Sequence, residues 1–329
     1  MTERQSVVVL RALGLGDLLT GLPALRAVRW WWPAHELVLI APERLREAAR
    51  ATGCVDRLLP AHAAGRGVPE PPPWTGPPPV AAIDLHGSGP ESRRVLEPLR
   101  PARLLAFSAV DGPTWREDEH ERERWCRLLG WYGIPADPGQ TRLDPPARPS
   151  PAPGAVLLHP GADAGARRWP PERWAALAAG LRDRGVSVAL SAGAGEWQLA
   201  DGIRQSAGLP PDAVCGGRAD VPFDALAALV AGARAVVSGD TGLAHLAVAL
   251  GTPSVTLFGP VSPSIWGPPP CSRHLALWRP DPGDAGPRPG DAHGRDPDPR
   301  LLRITVAEVH DALDSLDVLD ALPRPVAAP

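Results

Sequence analysis

A glycine-rich turn near the N-terminus carries the first residue suited to acid–base chemistry. Residues 14–17 (GLGD) follow an apolar, strand-like run at 7–13. Such a turn lets a ligand approach the backbone, so Gly16 and Asp17 are predicted to lie at a binding surface. From the spacing alone, a helix N-cap is the simpler interpretation of Asp17. A dinucleotide site is disfavoured, because the third glycine of GxGxxG would fall at Leu19.

A second turn combines small residues with two arginines. Residues 159–170 (HPGADAGARRWP) follow the apolar run 155–159, and a helix is predicted to begin at the prolines 170–171. Gly161 and Ala162 leave room for the backbone to approach a phosphate group. Arginine holds phosphate oxygens with two parallel hydrogen bonds. An ordinary loop with solvated arginines is the alternative interpretation.

A third segment, residues 238–251 (SGDTGLAHLAVALG), joins a predicted strand to a predicted helix. Two glycines flank Asp240 and Thr241, and the helix N-terminus after them offers N–H groups and a positive dipole end to a diphosphate. A simple N-cap at Ser238 or Asp240 is the alternative. His245 lies one turn into the helix, where it either faces the ligand or is a buried, hydrogen-bonded histidine.

Two further polar residues follow predicted strands. Glu196 comes after the run 186–191, where its carboxylate is suited to ribose hydroxyls, although a surface glutamate is the common alternative. His86 lies in the segment 84–88 (DLHGS) after the run 80–85 and is a candidate contact for an acceptor molecule. The carboxyl ends of parallel strands are where α/β sheets bind ligands.

The elements that position these residues are predicted from the alternation of short apolar runs with longer amphipathic segments. This alternation indicates an α/β protein with parallel sheets. Ten residues at 144–153 include five prolines and predict a linker, because such density interrupts helices and inner strands. We therefore expect domains at 1–145 and 154–303, followed by a C-terminal helix within 304–322. The Pro- and Gly-rich stretch 279–299 is expected to be mobile.

Composition excludes several classes of function. The net charge of −3 gives no electrostatic reason to expect nucleic acid or an anionic membrane as a partner. The four cysteines are far apart and form no CxxC pair, so neither a zinc site nor a disulfide framework is predicted. The N-terminal apolar run is too short for a signal peptide, and no stretch approaches the ~18 apolar residues of a membrane span. We expect a cytoplasmic protein and a monomer.

The motifs together resemble the family 9 glycosyltransferases, the ADP-heptose heptosyltransferases. The matching blocks are GLGDLLTGLPAL at 14–25, HPG with RRWP at 159–170, GDTGLAHLAVALGTP at 239–253 and FGPVSP at 258–263. The resemblance implies the GT-B type of α/β fold, with two Rossmann-like domains facing each other across a cleft. The N-terminal domain would bind the acceptor and the C-terminal domain the nucleotide sugar. The final helix would pack back toward the N-terminal domain.

The resemblance also implies roles for individual residues. Asp17 becomes the general base, which reverses the N-cap interpretation, and Gly16 and His86 join it in binding the acceptor. Arg167 stands where the family usually has lysine and would stabilise the departing diphosphate. All 34 basic residues of this chain are arginine, so the exchange is treated as tolerated. The donor site would comprise Gly161, Ala162, Arg167, Glu196, Asp240, Thr241, Gly242 and His245.

The implied reaction is inverting and metal-independent: heptose or a related sugar passes from an ADP-linked donor to a hydroxyl group. No cofactor other than this donor co-substrate is expected, because the chain has no DxD element suited to a metal ion. Basic residues suited to a phosphorylated lipid are not evident after Asp84, which favours a secondary metabolite or small glycan as acceptor. A non-catalytic nucleotide-sugar-binding protein and a sugar-nucleotide epimerase on the same fold are the alternatives.

Overall fold

The computed structural model describes residues 4–61, 63 and 67–316. The chain divides into two compact units, Met1–Leu143 and Asp144–Pro329. The boundary falls beside the proline-rich segment at which the sequence predicts a linker. Each unit is built around a parallel β-sheet, as the alternation of apolar runs and helices predicts.

The first unit contains a five-stranded sheet with the order β3-β2-β1-β4-β5. All of its strand pairs are parallel. The central strand is buried along its whole length and is apolar after its first residue, Ser6. The strands are β1 Ser6–Leu10, β2 Glu36–Ala41, β3 Arg57–Pro60, β4 Ala81–Asp84 and β5 Leu104–Leu105. The helices are α1 Leu15–Thr20, α2 Leu22–Trp31, α3 Arg46–Ala51, α4 Pro90–Leu96 and α5 Glu121–Trp131.

The second unit contains a six-stranded sheet with the order β11-β10-β9-β6-β7-β8, again parallel throughout. The strands are β6 Val156–His159, β7 Val188–Ala192, β8 Val214–Gly216, β9 Ala235–Gly239, β10 Ser254–Leu257 and β11 His274–Leu277. The helices are α6 Pro171–Asp183, α7 Trp197–Ser206, α8 Phe223–Ala231, α9 Gly242–Leu250, α10 Pro263–Trp266, α11 Pro299–Leu302 and α12 Val306–Ser315.

Strand register sets where the loops of each sheet meet. In the first unit Leu10 pairs with Asp84, so the residues after β1 and β4 emerge side by side. In the second unit His159 pairs with Ser238 and Gly239 pairs with Leu257. The loops after β6, β9 and β10 therefore leave the same edge of the sheet, and those after β6 and β9 carry candidate donor-site residues.

Of two segments near the C-terminus, the first differs from expectation. The stretch 279–299, expected to be mobile, is hydrogen-bonded to the segments at 165–167 and 260–262. Helix α12 packs on α6 and β10 of its own unit, with Val309 and Leu313 fully buried in that core. Packing of the segment 304–322 toward the N-terminal domain stays a prediction, and residues 317–322 lie outside the described part of the chain.

Candidate functional site

The Asp17 carboxylate lies at the carboxyl end of β1, in the first turn of α1. From its spacing alone, Asp17 is expected to be a helix N-cap. That expectation is wrong, because α1 already begins at Leu15 and Asp17 is its third residue. The N-cap residue is Gly14, and Asp17 Oδ2 accepts a hydrogen bond from the Gly14 N–H at 3.0 Å. Asp17 is 4% exposed, whereas Gly16 beside it is half-buried.

A buried arginine beneath this turn was missed by sequence reasoning. Arg11 is 1% exposed, and its Nε donates to the Asp17 carbonyl oxygen at 2.7 Å. The guanidinium also donates to the Leu85 carbonyl and the Thr20 hydroxyl. Glu121 Oε1 accepts from Arg11 Nη2 at 3.1 Å and completes the set. Arg11 thus ties the Asp17 turn to the segment after β4 and to the start of α5.

Glu121 is itself held from the other side. Its second carboxylate oxygen accepts from Arg124 Nη1, and Trp125 Nε1 donates to Oε1 at 3.0 Å. The Trp125 ring lies 4.7 Å from the Arg11 guanidinium carbon, at cation–π distance. A carboxylate buried between two guanidinium groups is a network in which each charge has a partner. Removal of one member would leave a desolvated charge behind.

His86 lies on the turn after β4, beside the turn that carries Asp17. The Ala12 N–H donates to His86 Nδ1 at 3.2 Å, so the hydrogen of the neutral ring is on Nε2. The turn is anchored by Asp84, whose Oδ1 accepts from the N–H groups of His86 and Gly87. Ser92 Oγ donates to Asp84 Oδ2 at 2.5 Å. Burial raises the pKa of Asp84 to about 6, against these hydrogen bonds, which lower it.

In the second unit, Arg167 lies over the start of α9. Its Nη1 donates to the Asp240 carbonyl oxygen at 3.3 Å, and its Nε donates to the Ala292 carbonyl oxygen at 3.2 Å. The structure therefore brings together two of the predicted donor-site segments. Ala292 belongs to the loop 279–299, for which the sequence predicts no role.

The N-terminus of α9 carries a hydroxyl without a partner. Thr241 is the N-cap residue and makes no side-chain capping bond. Its buried Oγ1 has no hydrogen-bond partner among the described residues. Gly242 is the first helical residue. His245, 9% exposed, places Nε2 3.9 Å from Asp240 Oδ1 and packs edge-on against Trp266. His245 is therefore buried, and its ring lies near the Asp240 carboxylate.

Glu196 packs against the backbone of the turn after β6. Its Oε2 accepts from the Gly193 N–H at 2.8 Å, and a methyl group added at Gly161 would overlap its carboxylate. Glycine at 161 is what allows this close approach. Arg168, not Arg167, holds the Ala162 carbonyl, through Nε at 2.9 Å and Nη2 at 2.7 Å. Arg168 Nη2 lies 4.0 Å from Glu196 Oε1.

His159, at the end of β6, is neutral in this setting. Its Nδ1 lies 3.1 Å from the Ser191 carbonyl oxygen and 3.0 Å from the Ser191 hydroxyl oxygen. Burial lowers the pKa of His159, which keeps the ring uncharged near neutral pH. The charges at the turn after β6 therefore come from Asp163, Arg167 and Arg168 on the turn itself and from Glu196 beside it.

Among the described residues, no group of three or more His, Cys, Asp or Glu is arranged to hold a metal ion. No helix in the same part of the chain is long and apolar enough to cross a membrane.

With this geometry established, residues 136–279 match the model of "Glycosyltransferase family 9 (heptosyltransferase)". This part of the chain is therefore similar to a family 9 glycosyltransferase domain. Lipopolysaccharide heptosyltransferase 1 of Pseudomonas aeruginosa is 36% identical over 157 residues, 45% of this chain and 41% of that protein. Lipopolysaccharide heptosyltransferase 2 of Escherichia coli is 35% identical over 159 residues, 48% and 45% of the two chains. The chain thus matches less than half the length of these curated relatives.

Solved structures resemble the chain over nearly its whole length. A family 9 glycosyltransferase from Veillonella parvula has a TM-score of 0.73 at 17% identity, covering 96% of this chain and 98% of that one. The E. coli ADP-heptose lps heptosyltransferase II has a TM-score of 0.72 at 20% identity, with the same coverage. The fold is therefore of the GT-B type, as the resemblance implies. An iron-containing dodecameric E. coli glycosyltransferase is also similar, with a TM-score of 0.62 at 16% identity, covering 96% of this chain and 77% of that one.

Proposed function

We propose that this protein is an inverting glycosyltransferase that moves heptose, or a related sugar, from an ADP-linked donor to a hydroxyl group. The observation that carries the proposal lies within the segment that matches the family 9 model. There, the Arg167 guanidinium is held against the N-terminal end of α9, beside the Thr241 hydroxyl, which has no hydrogen-bond partner in the described part of the chain. A guanidinium, a hydroxyl and a helix N-terminus are together suited to the two phosphates of a nucleotide sugar.

The proposed reaction is a single displacement. Asp17 takes the proton of the acceptor hydroxyl while its oxygen attacks the anomeric carbon. The bond from that carbon to the diphosphate oxygen breaks, and ADP leaves with the bonding electron pair. Arg167 and the α9 N-terminus stabilise the charge on the departing diphosphate. Attack opposite the leaving group inverts the anomeric configuration, so the chain's own residues supply both the base and the charge stabilisation.

The donor is proposed to be ADP-linked because a solved structure that shares this fold is named an ADP-heptose heptosyltransferase. Glu196 is proposed to accept hydrogen bonds from the ribose hydroxyls, since its carboxylate lies against the glycine turn that follows β6. Gly161, Ala162 and Gly242 would contribute backbone to the same site. His245 would support Asp240 from the buried side of α9.

The acceptor is proposed to be a secondary metabolite or small glycan. The turn after β4 offers His86 Nε2–H as a hydrogen-bond donor, followed by Gly87, Ser88 and Gly89, which carry no charge. This set of residues suits a neutral hydroxylated molecule better than a phosphorylated lipid. The proposed acceptor therefore differs from the lipopolysaccharide that appears in the names of the matched relatives.

Two measurements test the proposal. The first is a thermal-shift panel of ADP, GDP, UDP and dTDP, because a ligand of the native state raises the melting temperature according to its affinity. ADP should give the largest shift. Stabilisation by UDP alone would overturn the ADP-donor assignment.

The second measurement is ADP release from ADP-heptose in the presence of candidate acceptors. Asp17→Asn keeps an oxygen for the Gly14 N–H but loses the base, so turnover should fall at least about a hundredfold while ADP binding is retained. Full activity in this variant would exclude Asp17 as the base. Nucleotide binding without turnover on any acceptor would favour the non-catalytic alternative, and conversion of the donor alone would favour an epimerase.

A further inference from the structure

The loop 284–298 lies against the turn that carries Arg167. Ala166 donates its N–H to the Gly294 carbonyl at 2.9 Å, and the Asp298 N–H donates to the Ala166 carbonyl at 3.2 Å. A methyl group at Gly165 would overlap the Arg295 carbonyl oxygen, so backbone packs directly on backbone here. We name residues 284–298 the strap, because they cross the 3-10 turn Gly165–Arg167 and bond to its backbone through Gly294 and Asp298.

The strap also provides the contact that orients Arg167. Arg167 Nε donates to the strap carbonyl of Ala292, while Nη1 donates to the Asp240 carbonyl. Arginine has a rigid planar fork, so two fixed nitrogens determine where Nη2 points. A lysine has one side-chain nitrogen instead of this fork, so it could not hold both carbonyls with two nitrogens and leave a third pointing in a fixed direction.

A buried ion cluster holds the strap in place. Arg300, 9% exposed, sends Nε to Asp284 Oδ2 at 2.6 Å and Nη2 to Asp284 Oδ1. Its Nη1 lies 3.2 Å from Asp298 Oδ2. Asp284 and Asp298 stand at the two ends of the strap, so one guanidinium closes the loop between them. These paired, nearly buried charges hold the strap in one conformation, because any other position of the strap would leave one of the charges unpaired.

The geometry points to Arg300 as a positioning residue for the donor site: through the strap, it fixes the direction in which Arg167 meets the donor diphosphate. This inference rests on the proposed function, since it requires Arg167 to bind a nucleoside diphosphate. Arg300 itself touches no substrate in this scheme. It acts through Asp284, Asp298 and the Ala292 carbonyl.

A double-mutant cycle with ADP as the probe tests the inference. ADP binding is measured by calorimetry for the wild type, R167Q, R300Q and the double variant, and no acceptor is needed. R167Q should weaken ADP by about tenfold to a hundredfold, the range for a charge-assisted hydrogen bond, and R300Q by about tenfold. The double variant should bind no more weakly than R167Q, because Arg300 acts only through Arg167. If the two losses multiply instead, the strap does not work through Arg167 and the inference is wrong.

Two further variants serve as controls for the double-mutant cycle. Arg303→Gln removes the exposed ion pair with Asp281 three residues along the chain, and should leave ADP binding unchanged. Gly165→Ala displaces the strap from its other side without touching Arg300, and should show the same coupling to R167Q. It decides the question if R300Q does not fold. If ADP fails to bind the wild type while another nucleoside diphosphate binds, the ADP assignment fails and the cycle is run with that ligand. If no nucleoside diphosphate binds, both proposals are overturned.

Discussion

Asp84 makes the stability of this protein depend on pH in an unusual direction. The residue is 1% exposed, and burial raises the pKa of its carboxyl group from 3.8 to about 6. The folded state therefore holds the proton more tightly than the unfolded state. The stabilisation from this protonated group is full below pH 3.8 and is lost as the pH rises through 6. A shift of about two units corresponds to about 3 kcal/mol.

Asp84→Asn removes this titration and conserves the shape of the side chain. The amide oxygen can still accept from the His86 N–H. The amide nitrogen can donate to Ser92 Oγ, whose hydrogen can turn to the Gly89 carbonyl at 3.2 Å. The free energy of unfolding of the variant, relative to wild type, should increase by about 2 to 3 kcal/mol between pH 4 and pH 7.5. Urea titrations at four pH values across this window give the difference directly.

Asp56→Asn is a control with the opposite sign. Although burial raises the pKa of Asp56, hydrogen bonds from the Leu37 N–H and Arg29 together with nearby positive charge outweigh it, and the net pKa is lowered. Asp56 therefore stabilises the fold above its ordinary pKa of 3.8. This variant should lose stability relative to wild type as the pH rises toward about 4, and the difference should then stay constant up to about pH 7.5. A flat difference for Asp84→Asn, or one that follows the direction of Asp56→Asn, would refute the reasoning.

Three other substitutions have expected outcomes. Arg11→Met leaves Glu121 with one guanidinium partner and should lower the free energy of unfolding, measured in urea, by about 3 to 5 kcal/mol. The control Arg57→Met, at an exposed arginine, should lower it by less than about 1 kcal/mol. Equal losses in the two variants would contradict a buried network around Arg11. Thr241→Val removes a hydroxyl that has no partner among the described residues, so the melting temperature should not fall, while ADP binding weakens about tenfold. Gly161→Ala should displace the Glu196 carboxylate and lower the affinity for ADP as much as Glu196→Gln does. If the affinity for ADP is unchanged in both variants, Glu196 is not part of the donor site.

The strands of the two sheets were largely predictable from sequence. The predicted apolar runs at 7–13, 80–85, 155–159 and 186–191 each overlap a strand in the structure, because a strand buried on both faces is largely apolar. The strands that were missed, β3, β8 and β11, have four residues or fewer and mixed polarity. β8 and β11 lie at the edges of their sheet, and β3 at an edge of the other. Their strand conformation depends on pairing with a neighbour, which local sequence does not show.

Some features of the candidate site were also predictable from local sequence, and others were not. The turns at 14–17, 159–170 and 238–251 were predicted, since a strand, small residues and a helix start are local signals. The partners of Arg11 and Arg167 were not, because Glu121 and Ala292 lie 110 and 125 residues away along the chain. An arginine immediately after a buried strand was the one local sign that pointed to Arg11.

The sequence by itself determined the parallel α/β class, the linker region and the three turns, because hydrophobic periodicity and glycine placement act over a few residues. Only the tertiary structure decided that Asp17 lies inside a helical turn held by Arg11. It also decided that a proline-rich loop expected to be mobile bonds to Arg167. The physical reason is that buried guanidinium groups take whatever carbonyls and carboxylates the sheet register brings within about 3 Å. That register is set by the whole sheet, not by the neighbours of the arginine in sequence.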